Sequence, residues 1–113
     1  MTMDEIPKKQ RLLSSVFHEI GKEWVDLDAA ARSLEECKTA VLSQRKKKLG
    51  NIPDSRAETE VKASEAWMEY LVQLVDSRTK ANYAKIKLET IRMRHAEQQS
   101  REATARHEAR LDR

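Results

Sequence analysis

One cysteine, Cys37, stands in a chain of 113 residues. It excludes an internal disulfide framework and reads as a small buried hydrophobe, with an intermolecular disulfide or a reactive thiol as the sharper alternatives. Glycine and proline occur twice each, too seldom for a β-rich fold, which needs turn residues every ten or so positions. Aromatic residues make up 4%, and so short a chain builds no sizeable core unless subunits associate. Long apolar runs are missing as well. The longest uncharged stretch, Leu12 to His18, is too short to span a bilayer, and residues 1–11 lack the apolar core that a secretion signal would show. A cytoplasmic protein without membrane contact is expected. Nor is there a large charge of one sign. The 22 basic and 19 acidic residues leave a net +3, which permits contact with nucleic acid without requiring it.

What the chain does have is helical periodicity. Residues 1–10 form a lead-in, where Pro7 suits the first turn of a helix and Asp4 and Glu5 suit its positive dipole end. From about Lys8 to Leu49, Leu13, Ile20, Leu27, Leu34 and Val41 recur at sevens. Val16, Phe17, Trp24, Ala30, Ala31 and Cys37 fill the half-steps. This is a coiled-coil or bundle pattern. Gly21 weakens the helix by about 1 kcal/mol relative to alanine and marks either a close helix approach or a tolerated defect.

Gly50-Asn51-Ile52-Pro53 ends that helix, because glycine supplies a left-handed cap and proline blocks continuation. Ser55-Arg56-Ala57-Glu58 has the form of a capping box for the next helix, with Asp54 as an alternative cap. A turn at 50–55 joins two antiparallel neighbours. The second helix, from about 56 to 112, shows no breaker. Trp67, Leu74, Ala81 and Leu88 recur at sevens, with Tyr70, Leu71, Ala84 and Ile91 between them. Met68, Val72 and Val75 fall off this seam and form a second apolar surface in the most apolar stretch of the chain, Ala66 to Val75.

Closing the hairpin at residues 52–53 predicts Trp67 opposite Cys37 and Ala40. It also sets the acidic Glu19, Glu23, Asp26 and Asp28 alongside the basic Arg78, Lys80, Lys85 and Lys87. The first helix runs out near the level of Arg92. The polar arm 93–113 then has little beside it, and an isolated helix of that kind is marginal. Glu97 with Arg101 and Glu102 with Arg106 are favourable i,i+4 pairs within it. The arm is expected to fray, to project, or to be ordered by a partner.

Chemistry-bearing motifs are lacking. No glycine-rich phosphate loop, H-E-x-x-H or C-x-x-C occurs, and none of His18, His95 and His107 has a glutamate three residues before it. Glu65 and Glu69 read as a solvated helix face. Neither a metal nor another cofactor, a small-molecule substrate or enzymatic activity is expected. Two basic features remain. One is the hairpin tip, Arg45, Lys46, Lys47 and Lys48 with Arg56, read as dipole capping or as a candidate phosphate contact. The other is the arm, with Arg92, Arg94, Arg101, Arg106, Arg110 and Arg113, which offers no aromatic platform for bases.

The run from Tyr83 to Glu108, through its Arg92-x-Arg94 step and its Gln99-Ser100-x-x-Ala103-x-x-Arg106 step, resembles a segment of small helical accessory proteins of tailed phages and prophages. The resemblance implies an accessory protein of the recombination or early region, working in the host cytoplasm, and brings no catalytic residues. It also raises the arm as a partner-binding feature.

The combined expectation is an all-α protein, a long antiparallel two-helix hairpin over residues 11–113 that dimerises into a four-helix bundle. Its function is read as non-enzymatic protein–protein interaction. Trp67, Met68, Tyr70, Leu71, Val72 and Val75 form the oligomer interface, and Arg92, Arg94, Arg101, Arg106 and Arg110 lie in a partner-binding arm. The rival readings are a nucleic-acid accessory factor using the basic tips or arms, and a phage inhibitor that occludes a host enzyme.

Overall fold

A computed structural model describes residues 8–112, with side chains from Leu12 onward. Pro7, Asp4 and Glu5 of the lead-in, and Arg113, lie outside the described residues. Those described are helical, without a strand, in four elements: α1 Lys8–Glu36, α2 Lys38–Lys48, α3 Asp54–Lys62 and α4 Glu65–Leu111. No helix among them is long and apolar enough to cross a membrane.

Periodicity predicts two long helices where four are found. The first interruption falls at Cys37, which has φ −81° and ψ −5° and leaves its side chain exposed. The expectation of a buried Cys37 is therefore corrected: the residue lies at a helix junction, outside the seam. The second interruption falls at Ala63–Ser64, within a stretch that contains neither glycine nor proline. There the Ser64 hydroxyl donates to the Val61 carbonyl at 2.6 Å and accepts the Trp67 amide at 3.2 Å. A serine side chain offers the backbone an alternative to the helical ladder and caps the next helix.

The connection between α2 and α3 obeys the glycine rule. Gly50 has φ +85°, and the amides of Leu49 and Gly50 donate to the carbonyls of Lys46 and Lys47 at 3.1 and 3.2 Å. The capping box does not form. Helix α3 starts at Asp54 behind Pro53, which has the extended φ −55°, ψ 141°, and no side chain caps it. Ser55 already lies in the first turn, where its carbonyl accepts the Thr59 hydroxyl at 2.9 Å.

The heptad seam is realised with one adjustment. Along α1, Leu13, Phe17, Ile20, Trp24, Leu27, Ala31 and Leu34 are buried or half-buried, while Val16 and Ala30 are exposed. Strict alternation of four and three residues selects Ala31, the position after Ala30, as the packing residue. Along α4, Trp67, Tyr70, Ala81, Ala84 and Leu88 are buried, with Leu71, Leu74 and Ile91 half-buried.

The chain divides into two compact units. The unit Val25–Asn82 holds the end of α1, all of α2 and α3, and the start of α4. Its two sides run antiparallel, since Asp28 meets Arg78, Leu34 meets Tyr70 and Lys46 meets Asp54. The other unit combines the described residues up to Trp24 with those from Tyr83 onward. It too is antiparallel: Phe17 meets His95 edge-on at 6.2 Å, and Lys85 lies 5.9 Å from the Trp24 ring.

Candidate interaction surfaces

In the unit Val25–Asn82 the core is Val61, Trp67 and Tyr70, packed with Leu34, Val41, Leu42, Leu71 and Leu74. The Trp67 and Tyr70 rings stack with centroids 5.5 Å apart at 26°. The Arg45 guanidinium covers both rings, 5.9 Å and 5.8 Å from their centroids. A cation over an aromatic face is attracted by the ring quadrupole. Trp67 thus belongs with the Val41, Leu42 and Arg45 side of α2. The expected neighbours, Cys37 and Ala40, are both exposed.

Six residues are candidates for a partner surface, and they fall into two groups. Trp67 and Tyr70 are 3% and 8% exposed and are consumed by the internal core. Leu71 is half-buried against the same core. Met68, Val72 and Val75 are 54%, 65% and 61% exposed. Together with Leu71, Asp76 and Thr79 they line a shallow open groove along α4. These aliphatic side chains recur at three- and four-residue steps on one helix face, as a second packing seam would require.

Of the four cations expected alongside the acidic stretch, Arg78 forms an ion pair with it and Lys85 lies over its Trp24 ring. Arg78 donates to Asp28 Oδ1 at 2.7 Å and to both carboxylate oxygens of Glu35. The Arg78 hydrogen bond holds the Glu35 carboxyl below its ordinary range, and the bonds to Glu35 and Asp28 together raise the Arg78 guanidinium above its own. The sequence pattern does not single out Glu35, because it lies outside the acidic stretch and is brought to Arg78 by the fold. Lys80 instead pairs along its own helix with Asp76 at 3.0 Å.

The basic tip is largely occupied by internal contacts. Arg45 lies on the aromatic rings, Lys46 pairs with Asp54 at 2.6 Å, and Arg56 pairs with Glu60 at 3.3 Å. Lys47 and Lys48 are exposed and make no ion pair among the described residues. The tip therefore offers two of its five cations to a ligand. A cleft of Ser43, Lys46, Lys47, Gly50, Ile52, Asp54 and Ala57 lies beside it, and the Asp54 carboxylate in that cleft opposes an anion.

The arm is helical to Leu111, and every residue from Ala96 to Asp112 is exposed. The expected Glu97–Arg101 and Glu102–Arg106 bridges are not among the ion pairs of the described residues. Glu102 instead accepts from Gln98 at 3.3 Å, and the Thr104 hydroxyl donates to the Ser100 carbonyl at 3.0 Å. Arg92, Arg94, Arg101, Arg106 and Arg110 are all exposed.

No group of three or more His, Cys, Asp or Glu residues able to hold a metal ion occurs among the described residues. Comparison with family models, with curated proteins and with solved structures finds no match. In the sequence Arg45 reads only as a tip cation, with no hint of its place over Trp67. Spacing offers no signal for that contact, since arginine at a helix end reads equally well as dipole capping.

Proposed function

We propose that this chain is a non-enzymatic protein–protein interaction module, acting as a helical homo-oligomer. One observation carries the reading: Met68, Val72 and Val75 stay exposed on α4 while their neighbours Trp67 and Tyr70 are already buried in the chain's own core. Aliphatic side chains repeated on one face of a packed helix are covered when a second helix lies on them. Each valine fully buried in that way contributes about 1.5 kcal/mol or more. Two copies joined on this face make the four-helix bundle, and the exposed arms are left to engage a further protein. A role as a phage-type accessory protein belongs to the same proposal and rests on the resemblance of the run Tyr83–Glu108.

Light scattering across a dilution series tests the reading. The unmodified chain is expected at twice the mass of one chain, and a Val72→Glu, Val75→Glu double variant at the mass of one, with unchanged helicity. A folded single chain at high micromolar concentration would overturn self-association. A different protein recovered on this face would then become the partner to identify.

A further inference from the structure

We propose that one face of the C-terminal part of α4 binds the phosphate backbone of duplex nucleic acid through Arg92, Arg106 and Arg110. This site lies in the unit that contains Tyr83–Arg113 and is independent of the face carrying Val72. The sequence count alone argues against it, because four acids offset most of the arginines in the arm. That count ignores direction. Helix α4 continues unbroken to Leu111, so each residue turns about 100° from the last. Residues four, seven, eleven, fourteen and eighteen positions beyond Arg92 then return to its side. They are Ala96, Gln99, Ala103, Arg106 and Arg110.

Arg92 and Arg110 lie in line about 27 Å apart, at 1.5 Å per residue. Arg106 sits beside the same line. Between them stand two alanines and a glutamine, short or uncharged side chains that let a ligand approach. Three of the arm's four acids turn elsewhere, and Glu102 stands one turn before Arg106. Glu97, Glu108 and Asp112 point to the opposite side, together with Arg94 and Arg101. Glu102 lies on the flank, where Gln98 donates to it. Arg92, Arg106 and Arg110 are exposed and take part in no ion pair among the described residues.

Chemistry narrows the ligand. A guanidinium presents a planar fork that matches phosphate oxygens. The face carries no large apolar side chain, so it lacks what an interfacial helix uses to enter a lipid surface. It carries no aromatic ring, so it lacks the stacking platform for unpaired bases. What remains is a line of cations over a regularly charged rod, with affinity led by counterion release and indifferent to base sequence. The tip competes poorly as the site, because three of its five cations are held by internal partners.

The test uses the full chain and a fluorescein-labelled duplex of arbitrary sequence, read by anisotropy. Three phosphate contacts predict that Kd weakens about 40-fold between roughly 50 and 200 mM salt. An Arg92→Gln, Arg106→Gln, Arg110→Gln variant is expected to lose duplex binding at the lower salt. An Arg94→Gln, Arg101→Gln variant is expected to keep it. Glutamine preserves helix propensity, and circular dichroism verifies that both variants stay helical. Failure of the parent chain to bind at the lower salt overturns the site, as does equal weakening by the two variants. Tighter binding of the parent to poly-glutamate than to the duplex also overturns it, and assigns the face to an acidic protein.

Discussion

The Tyr70 hydroxyl donates to the Leu34 carbonyl oxygen at 2.5 Å, joining residues 36 positions apart in sequence. Leu34 lies three residues before the interruption at Cys37, and its carbonyl is the one that the Lys38 amide would take in an uninterrupted helix. A side chain that takes up a ladder carbonyl is a recognised cause of a helix break. The same tyrosine ring stacks on Trp67, so one residue ties the core to the helix junction.

Removing the hydroxyl alone isolates that tie. Tyr70→Phe keeps the ring stack and loses the hydrogen bond. The expected loss of stability is about 0.5–1.5 kcal/mol, measured by urea unfolding. An unchanged midpoint would show that the Leu34 carbonyl is equally well served without the phenol.

Neighbouring residues on α4 should respond very differently to truncation. Trp67→Ala empties the centre of the core and should cost about 3–5 kcal/mol. Met68→Ala removes an exposed side chain and should change the stability of the single chain by less than about 0.5 kcal/mol. Thermal melts of the two variants at low protein concentration make the comparison.

Arg78 and Glu35 predict a pH dependence. The Arg78 hydrogen bond holds the folded-state Glu35 carboxyl below its ordinary value of 4.5. A depressed acid contributes stability that is present above the unfolded value and lost as pH falls through the folded one. The stability difference between the parent chain and Arg78→Met should therefore be full near neutral pH and shrink as pH drops below 4.5. Arg78 and Glu35 are 31% and 38% exposed, so added salt should also reduce the difference. Melting curves at several pH values check both trends, and a difference that grew in acid would contradict the pairing.

The two glycines should give opposite results. A Cβ on Gly21 would meet nothing within 4 Å, so no close helix approach requires glycine there. Gly21→Ala should stabilise α1 by about 0.8–1 kcal/mol through helix propensity. Gly50 holds φ +85°, a conformation that costs an L-residue about 1–2 kcal/mol. Gly50→Ala should destabilise the chain accordingly, although the space around it is equally open. Denaturant midpoints for both variants decide.

Periodicity and turn chemistry are legible in the amino-acid order alone. The repeat from Leu13 to Val41 and the repeat from Trp67 to Leu88 set which residues face inward, because a helix returns to one side about every seven residues. Gly50 and Pro53 set the place of the α2–α3 connection, because few residues tolerate or enforce those backbone angles. The exposure of Met68, Val72 and Val75 is legible too, as they fall off the buried seam. Other features depend on the folded chain. The breaks at Cys37 and Ser64 rest on side-chain hydrogen bonds that compete with the helical ladder, and no spacing encodes them. Which side chains close over Trp67, with Val41 and Leu42 in the core and Cys37 left exposed, depends on how the helices pack. Arg45 and Lys46 look like free cations in the sequence and are held in the fold by two rings and by Asp54. Arg92, Arg106 and Arg110 look offset by acids in the sequence, and share one side because α4 stays helical to Leu111. Composition fixes how many charges a chain carries, whereas only the folded backbone fixes the direction in which each one points.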